Sequence, residues 1–260
     1  MDDFALLIDL HKNGDRQGPG GDAQTELALR LAGVDRNAML KVIDIGCGTG
    51  ASTILLAQLL PNAQIIAVDF LRDFLDVLKA RANKAGVGQR IDTRTCSMDD
   101  LPFPEAQFDL VWSEGAIYNM GFEAGLAAWR RFLKPGGVIA VSEITWLTQC
   151  RPEEIQFHWD GEYPEIDLAS AKMDVLERQG YSPLGYLTLP ESCWLDNYYR
   201  PIQDRLSGFL TRNDHSDEAQ AIASAEQEEI ALYQKYKAFY SYGFYLAKRV
   251  DQDDLVAGRG

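Results

Sequence analysis

The chain has 260 residues, of which 46% are hydrophobic and 25% charged, and its formal net charge is 25 − 39 = −14. Those values are ordinary for a soluble globular protein able to bury one sizeable core, with room for a smaller cap. An acidic surface repels phosphate backbones and anionic lipid, and no Lys/Arg run exceeds a pair, so nucleic-acid and membrane-surface partners are disfavoured.

The four cysteines (Cys47, Cys96, Cys150, Cys193) form no C-x-x-C pair, and the three histidines (His11, His158, His215) lack metal-ligand spacing. A disulfide framework and a metal site are therefore not expected, and a reducing cytoplasm suits the chain best. The N-terminus does not read as a signal peptide, and no apolar run approaches the ~20 residues of a membrane span.

In chain order, residues 3–11 form a short apolar helix. The polar, glycine-rich segment 13–21 follows, then a helix at about 24–32. From Lys41 strands and helices alternate: Lys41–Ile45, helix Ser52–Leu60, Gln64–Asp69, helix Leu71–Ala85, Ile91–Thr95, Phe108–Trp112, helix Phe122–Leu133 and Gly137–Glu143. This alternation predicts an α/β fold with a doubly wound, parallel sheet. In helix 122–133, Phe122, Leu126, Trp129 and Leu133 recur at one-face spacing, and Lys134-Pro135-Gly136-Gly137 is expected to end it.

Beyond Glu143 the pattern changes. Residues 145–166 read as an irregular aromatic stretch, followed by helix 168–179, a strand at about 184–189 and a largely helical insertion, 191–236. The last strand, Tyr240–Lys248, alternates Tyr240, Tyr242, Phe244 and Leu246 with Ser241, Gly243, Tyr245 and Ala247, and is expected to return to the main sheet. The organisation that follows has N-terminal helices and a lid (1–37), a core (38–189 and 237–250), a helical cap insertion (190–236) and a disordered tail (251–260).

The most informative stretch is Val42-Ile43-Asp44-Ile45-Gly46-Cys47-Gly48-Thr49-Gly50, a buried strand running through a glycine turn into a helix. Such a turn brings backbone N–H groups and a helix N-terminus against a ligand. Gly46, Gly48 and Ala51 also satisfy a permissive dinucleotide fingerprint. No Lys or Arg lies between Asp44 and Ala63, so the lysine of a triphosphate loop is missing. The second strand ends in Asp69, where a carboxylate either accepts ribose hydroxyls or caps the next helix. Phe70 either covers an adenine face or enters the core. The run Cys96-Ser97-Met98-Asp99-Asp100 and the strand end Trp112-Ser113-Glu114 place further polar groups where open α/β sheets bind ligands.

D-I-G-C-G-T-G (44–50), the acid at Asp69, S-M-D-D-L-P-F (97–103), F-D-L-V-W-S (108–113) and L-K-P-G-G (133–137) resemble class I S-adenosylmethionine-dependent methyltransferases. They are most similar to the small-molecule branch with quinone-biosynthesis and glycine- or sarcosine-type enzymes. The resemblance covers residues 38–145. It implies a Rossmann-like seven-stranded sheet whose last strand is antiparallel, with S-adenosylmethionine as cofactor. It further implies that Gly46, Cys47 and Gly48 lie against the methionine part, with Asp44 beneath. Asp69 would hold the ribose, Phe70 the adenine face, and Ser97, Met98 and Asp99 the adenine edge. Ser113 and Glu114 would approach the amino group and the sulfonium, and residues 16–20 either close as a lid or form a plain surface turn.

The implied reaction is an in-line methyl transfer to a small molecule through an N, O or C acceptor atom. Candidates for a general base are Glu143 at a strand end, Tyr118 after the fourth strand and His158 in a loop. Trp146, Trp159, Tyr163, Trp194, Tyr198 and Tyr199 suggest an aromatic-walled acceptor pocket suited to a ring, a terpenoid tail or an amine. An NAD-dependent oxidoreductase and a non-catalytic cofactor-binding protein are the alternatives.

Overall fold

The computed structural model describes residues 3–251. The expectation of a disordered tail lies outside the described residues except at Asp251, whose carboxylate sits 3.0 Å from both Arg130 and Arg249.

The first half of the chain runs α1 (Asp3–His11), α2 (Asp22–Ala32), β1 (Lys41–Ile45), α3 (Ala51–Leu59), β2 (Gln64–Asp69), α4 (Arg72–Lys84), β3 (Ile91–Thr95), β4 (Phe108–Glu114), α5 (Phe122–Arg130) and β5 (Leu133–Trp146). It continues through α6 (Glu153–Glu162), β6 (Asp167–Leu168), α7 (Ala169–Arg178), β7 (Tyr181–Thr188) and α8 (Glu191–Trp194). A π-helical turn (Leu195–Tyr199), α9 (Arg200–Arg212), α10 (Asp217–Tyr236) and β8 (Tyr240–Arg249) complete it.

The strands lie in the order β3-β2-β1-β4-β5-β8-β7. Strands β1 to β5 are parallel, and β8 is antiparallel to both β5 and β7. The expected seven-stranded sheet with an antiparallel last strand is therefore present, with one addition. The two-residue β6 pairs with Thr145 and Trp146 of β5, beyond the reach of β4.

Period-two alternation divides the core between the two faces of the sheet. Val42, Leu110, Trp112 and Phe244 join the apolar cluster on one face, and Ile43, Ile45, Val111 and Tyr245 join the other. A third cluster lies apart from the sheet, where Leu6 and Leu10 of α1 pack with Ile202, Leu206 and Phe209 of α9 and with Ala219 and Ala223 of α10. The first helix is thus joined to the late helical segment, a packing that no local pattern announces.

Two expectations are corrected. Helix α5 stops at Arg130, and Leu133 opens β5, paired with Phe108. The Phe132 carbonyl accepts the N–H groups of Gln107 and Phe108, both at 2.9 Å, and this commits the chain to the sheet before Lys134. Leu133 is buried as expected, but an apolar residue at that spacing suits a helix face and a buried strand alike. Residues 153–162, read as irregular, form α6. Pro152 precedes its first turn, where Glu153 and Glu154 favour the positive end of the helix dipole. Only Ile155 of this helix is buried, so it carries almost no apolar period.

Candidate active site

The strand order reverses between β1 and β4, and open α/β sheets bind ligands at such a point, beyond the C-terminal ends of the strands. The glycine turn after β1 lies there. Gly46 and Gly48 have φ of 71° and 54°, conformations that L side chains rarely adopt. A Cβ at Gly46 would collide with that of Ala116, and one at Gly48 with the side-chain oxygen of Gln17. The N–H groups of Gly46 and Cys47 bond to the Val68 carbonyl at 2.8 and 3.0 Å, which locks the turn to the end of β2.

Beneath the turn, Asp44 is fully buried. One of its oxygens accepts from Ser52 Oγ at 2.8 Å and Thr53 Oγ1 at 2.6 Å, while the other has no partner. Burial lifts its pKa to about 7 against these two hydrogen bonds, and the nearby charges of Glu114 and Asp69 add to the rise. Asp69 spans the turn and the next helix. Its two oxygens accept the N–H groups of Gly48 and Leu71, each at 2.8 Å, and burial raises its pKa as well. Phe70 is 66% exposed and so is not core.

The S-M-D-D segment borders the same crevice. Met98 reaches toward Gly46, and its carbonyl accepts from Trp129 Nε1 at 3.0 Å; Ser97 is half-buried and Asp99 exposed. Ser113 does not face the crevice. Its buried hydroxyl donates to the Ile45 carbonyl at 2.8 Å and ties β4 to β1, so the expected approach to a ligand is corrected to a bond within the sheet. Glu114 does face it, held by Thr25 Oγ1 (2.7 Å), Trp112 Nε1 (3.0 Å) and Arg16 Nη1 (2.9 Å).

Residues 16–19 close the crevice from above, leaving a cavity of about 80 Å³ between them and the turn. The Gln17 side chain accepts the Thr49 N–H at 2.8 Å and donates to the carbonyls of His11 and Gly14 at 3.1 and 3.2 Å. Arg81 supports this from α4 through Thr49 Oγ1 (2.9 Å) and the Gly14 carbonyl (3.1 Å). Sequence reasoning named the segment but not Arg16 or Gln17 as its contacts; they are the polar side chains in a Gly/Pro-rich stretch, which was the available signal.

Of the proposed bases, Glu143 and Tyr118 belong to one neighbourhood and His158 does not. Glu143 is 1% exposed, with one oxygen 3.2 Å from Lys172 Nζ and the other without a partner. Burial raises its pKa against the opposing pull of Lys172. The Lys172 ammonium also lies 4.6 Å from the centre of the Phe122 ring. Tyr118, 43% exposed as a whole, packs edge-on to Tyr163 at 6.2 Å, and desolvation of its hydroxyl together with the charges of Glu229 and Glu143 raises its pKa. His158 lies on α6 and not in a loop; its ring meets Trp159 at 5.2 Å, and it shares no hydrogen bond, ion pair or ring contact with Glu143 or Tyr118.

Comparison with known proteins agrees with this architecture. Residues 42–137 match the family model described as a methyltransferase domain. The 27-O-demethylrifamycin SV methyltransferase of Amycolatopsis mediterranei is 30% identical over 55% of this chain and 56% of its own length. The chain spans 24% to 56% of the lengths of the first curated relatives it matches. A S-adenosylmethionine-dependent methyltransferase from Geobacter sulfurreducens, solved with S-adenosylhomocysteine, superposes with a TM-score of 0.80 at 16% identity over 95% of this chain and 97% of that one. The [4+2]-cyclase SpnF superposes at 0.75 with 19% identity, covering 95% and 92%. At such identities the likeness is one of fold, and the fold is common to more than one chemistry.

Proposed function

Residues 42–137 are a methyltransferase domain of the class I S-adenosylmethionine-dependent type, and from that premise we propose that the protein transfers a methyl group from this cofactor to a small molecule. The observation that carries the reading is the crevice at the strand-order reversal. There two glycines leave no side chain over the turn, Asp69 stands at the end of the neighbouring strand, and the next residue, Phe70, is a two-thirds exposed aromatic ring.

The residues fit the cofactor by chemistry. Asp69 is the carboxylate positioned to accept from the ribose, and Phe70 offers an apolar face to adenine, with Ser97, Met98 and Asp99 at its edge. Gly46, Cys47 and Gly48 would lie along the methionine part, above the unpaired oxygen of Asp44. Glu114 is the carboxylate suited to its ammonium group. When bound, S-adenosylmethionine supplies an electrophilic methyl group on a sulfonium. The chain's own work is then to align the acceptor with the S–C axis and to exclude water, which residues 16–20 are placed to do as a lid. In this reading 38–189 and 237–250 form the catalytic core, and 190–236 covers the acceptor side. Glu143 stands as the group able to take a proton from the acceptor, while Tyr118, whose raised pKa keeps its hydroxyl protonated, can offer the acceptor a hydrogen bond.

We propose a cytoplasmic location, a reading that the four free cysteines support. No helix of the described residues is long and apolar enough to cross a membrane. The test is calorimetric titration with S-adenosylmethionine, S-adenosylhomocysteine and NAD, followed by transfer of a labelled methyl group to quinols, amines and phenols. Binding of the first two and label in a product are expected. Binding of NAD alone would overturn the reading, and cofactor binding with no turnover on any acceptor would favour a role like that of a cyclase or sensor.

A further inference from the structure

Two neighbouring side chains of the closing segment reach into the crevice and take up two different contacts there. Glu114 commits one oxygen to the fold, since Oε1 accepts from Thr25 Oγ1 and Trp112 Nε1. Its other oxygen, Oε2, is held by Arg16 Nη1 at 2.9 Å. The next residue, Gln17, sets its side-chain oxygen 2.8 Å from the Thr49 backbone nitrogen and 3.1 Å from Thr49 Oγ1, just ahead of α3. One residue therefore puts a cation on the crevice carboxylate, and its neighbour puts an acceptor oxygen on the glycine turn. Both line the same cavity as Glu114, Gly46 and Gly48, and the space left among them is about 80 Å³. A small-molecule pocket needs roughly 300 Å³ or more.

An α-amino acid carries the same two functions, an ammonium that donates and a carboxylate that accepts. Each internal contact can be exchanged for the matching one with such a ligand. The Thr49 N–H lies in the approach to a helix N-terminus, where negative charge is favoured, so a carboxylate oxygen binds there more strongly than the neutral amide oxygen of Gln17. Arg16 can leave Glu114 without stranding its charge. Its second terminal nitrogen, Nη2, is 3.0 Å from Asp22, whose side chain is 79% exposed. The segment is also pinned at its ends, where Arg81 Nη2 donates to the Gly14 carbonyl at 3.1 Å and Asn197 Nδ2 to the Gly20 carbonyl at 2.8 Å. Its middle is looser, and a Cβ added at Gly18 would meet nothing within 4 Å.

We propose that Arg16 and Gln17 are an internal substitute for the amino-acid part of the cofactor, and that together they gate the crevice in favour of a zwitterion able to replace both contacts. The inference rests on the methyltransferase reading above and goes beyond it in giving these two side chains a competing role and a share in specificity. A ligand with an adenosine part alone offers nothing in exchange for either contact and leaves both in place. The affinity for a complete cofactor is lowered by the fraction of molecules in which the two side chains still hold the crevice. Arg16 and Gln17 retake Glu114 and Thr49 as the spent cofactor leaves, so the same exchange hastens product release.

The experiment titrates the whole protein in a calorimeter with S-adenosylhomocysteine and with 5′-methylthioadenosine, which keeps the adenosine and the thioether but lacks the amino-acid part. Arg16→Met is expected to bind S-adenosylhomocysteine roughly tenfold more tightly than the wild type, and Gln17→Ala roughly fivefold. Both variants should bind 5′-methylthioadenosine as the wild type does. Asp22→Asn, a change at an exposed side chain, keeps Arg16 on Glu114 but removes its second partner, and should bind S-adenosylhomocysteine roughly threefold more weakly. In stopped-flow mixing, the rate of S-adenosylhomocysteine binding should level off with ligand concentration in the wild type and rise linearly in the double variant Arg16→Met with Gln17→Ala. Unchanged or weaker S-adenosylhomocysteine binding in Arg16→Met and Gln17→Ala, or an equal gain for both ligands, would overturn the inference and leave the methyltransferase reading in place. Failure of the wild type to bind S-adenosylhomocysteine would instead overturn that earlier reading, and this one with it.

Discussion

The side-chain oxygen of Gln17 accepts the backbone N–H of Thr49 at 2.8 Å, so the segment before α2 supplies a ligand to the glycine turn from within the chain. Any cofactor that lies along this turn competes with that bond. Gln17→Ala removes the competitor, and a net hydrogen bond is worth about 1 kcal/mol, so S-adenosylmethionine affinity should rise roughly fivefold. Calorimetric titration measures it. Weaker binding would instead mean that the Gln17 amide itself contacts the cofactor.

Asp69 holds two backbone N–H groups and is the expected ribose ligand. Asp69→Ala should weaken cofactor binding by roughly 1.5–3 kcal/mol, the range for hydrogen bonds to a charged group. Asp69→Asn keeps an acceptor for the turn and should lose less. Unchanged affinity in both variants would place the ribose elsewhere.

The fold should lose stability through Asp44 as pH rises. Its pKa is about 7 in the folded chain against 3.8 when unfolded, so the native state holds this proton more tightly between those values. That contribution is fully present below about pH 4, declines as pH climbs to 7, and is constant above. Asp44→Asn should therefore gain on the wild type between pH 5 and 8, by at most about 3 kcal/mol. Urea unfolding of both proteins at the two pH values gives the difference; a gap that does not widen with pH would show that Asp44 titrates normally.

Lys172 and Glu143 are both buried and stand 3.2 Å apart. Removing one partner of such a pair leaves an uncompensated charge, so Lys172→Met should destabilise the fold by about 3–5 kcal/mol. The double variant Lys172→Met with Glu143→Gln should recover most of that loss. Additive losses in denaturant unfolding would show that the two charges do not depend on each other.

Much of the core and crevice was legible because its signals are local. Strand β1, the glycine turn and the acid at the end of β2 follow one another at spacings set by a single βαβ unit. Failures arose where two structures share one pattern. Leu133 continues the period of α5 and equally starts a buried strand, and only its pairing with Phe108 decides. Helix α6 escaped because solvent covers nearly all of it. Ser113 stands at a strand end as a ligand residue would, but the alternation of β4 turns its hydroxyl toward Ile45. Tyr242 could not be joined to the site from sequence at all. It reaches Gly115 from β8, far along the chain, through packing that has no local signature.

Strand β8 fills the gap between β5 and β7, and its neighbours lie well before it in the chain. During synthesis β7 leaves the ribosome roughly 60 residues ahead of the end of β8. At translation rates of about 5–20 residues per second, that gap lasts on the order of 3–12 s. Throughout it, the outer edge of β5 and the whole of β7 present unpaired backbone groups, the kind of surface that invites intermolecular strand pairing. The helical stretch 191–236 emerges in that interval, so the nascent protein must shield an open sheet while it waits for its closing strand.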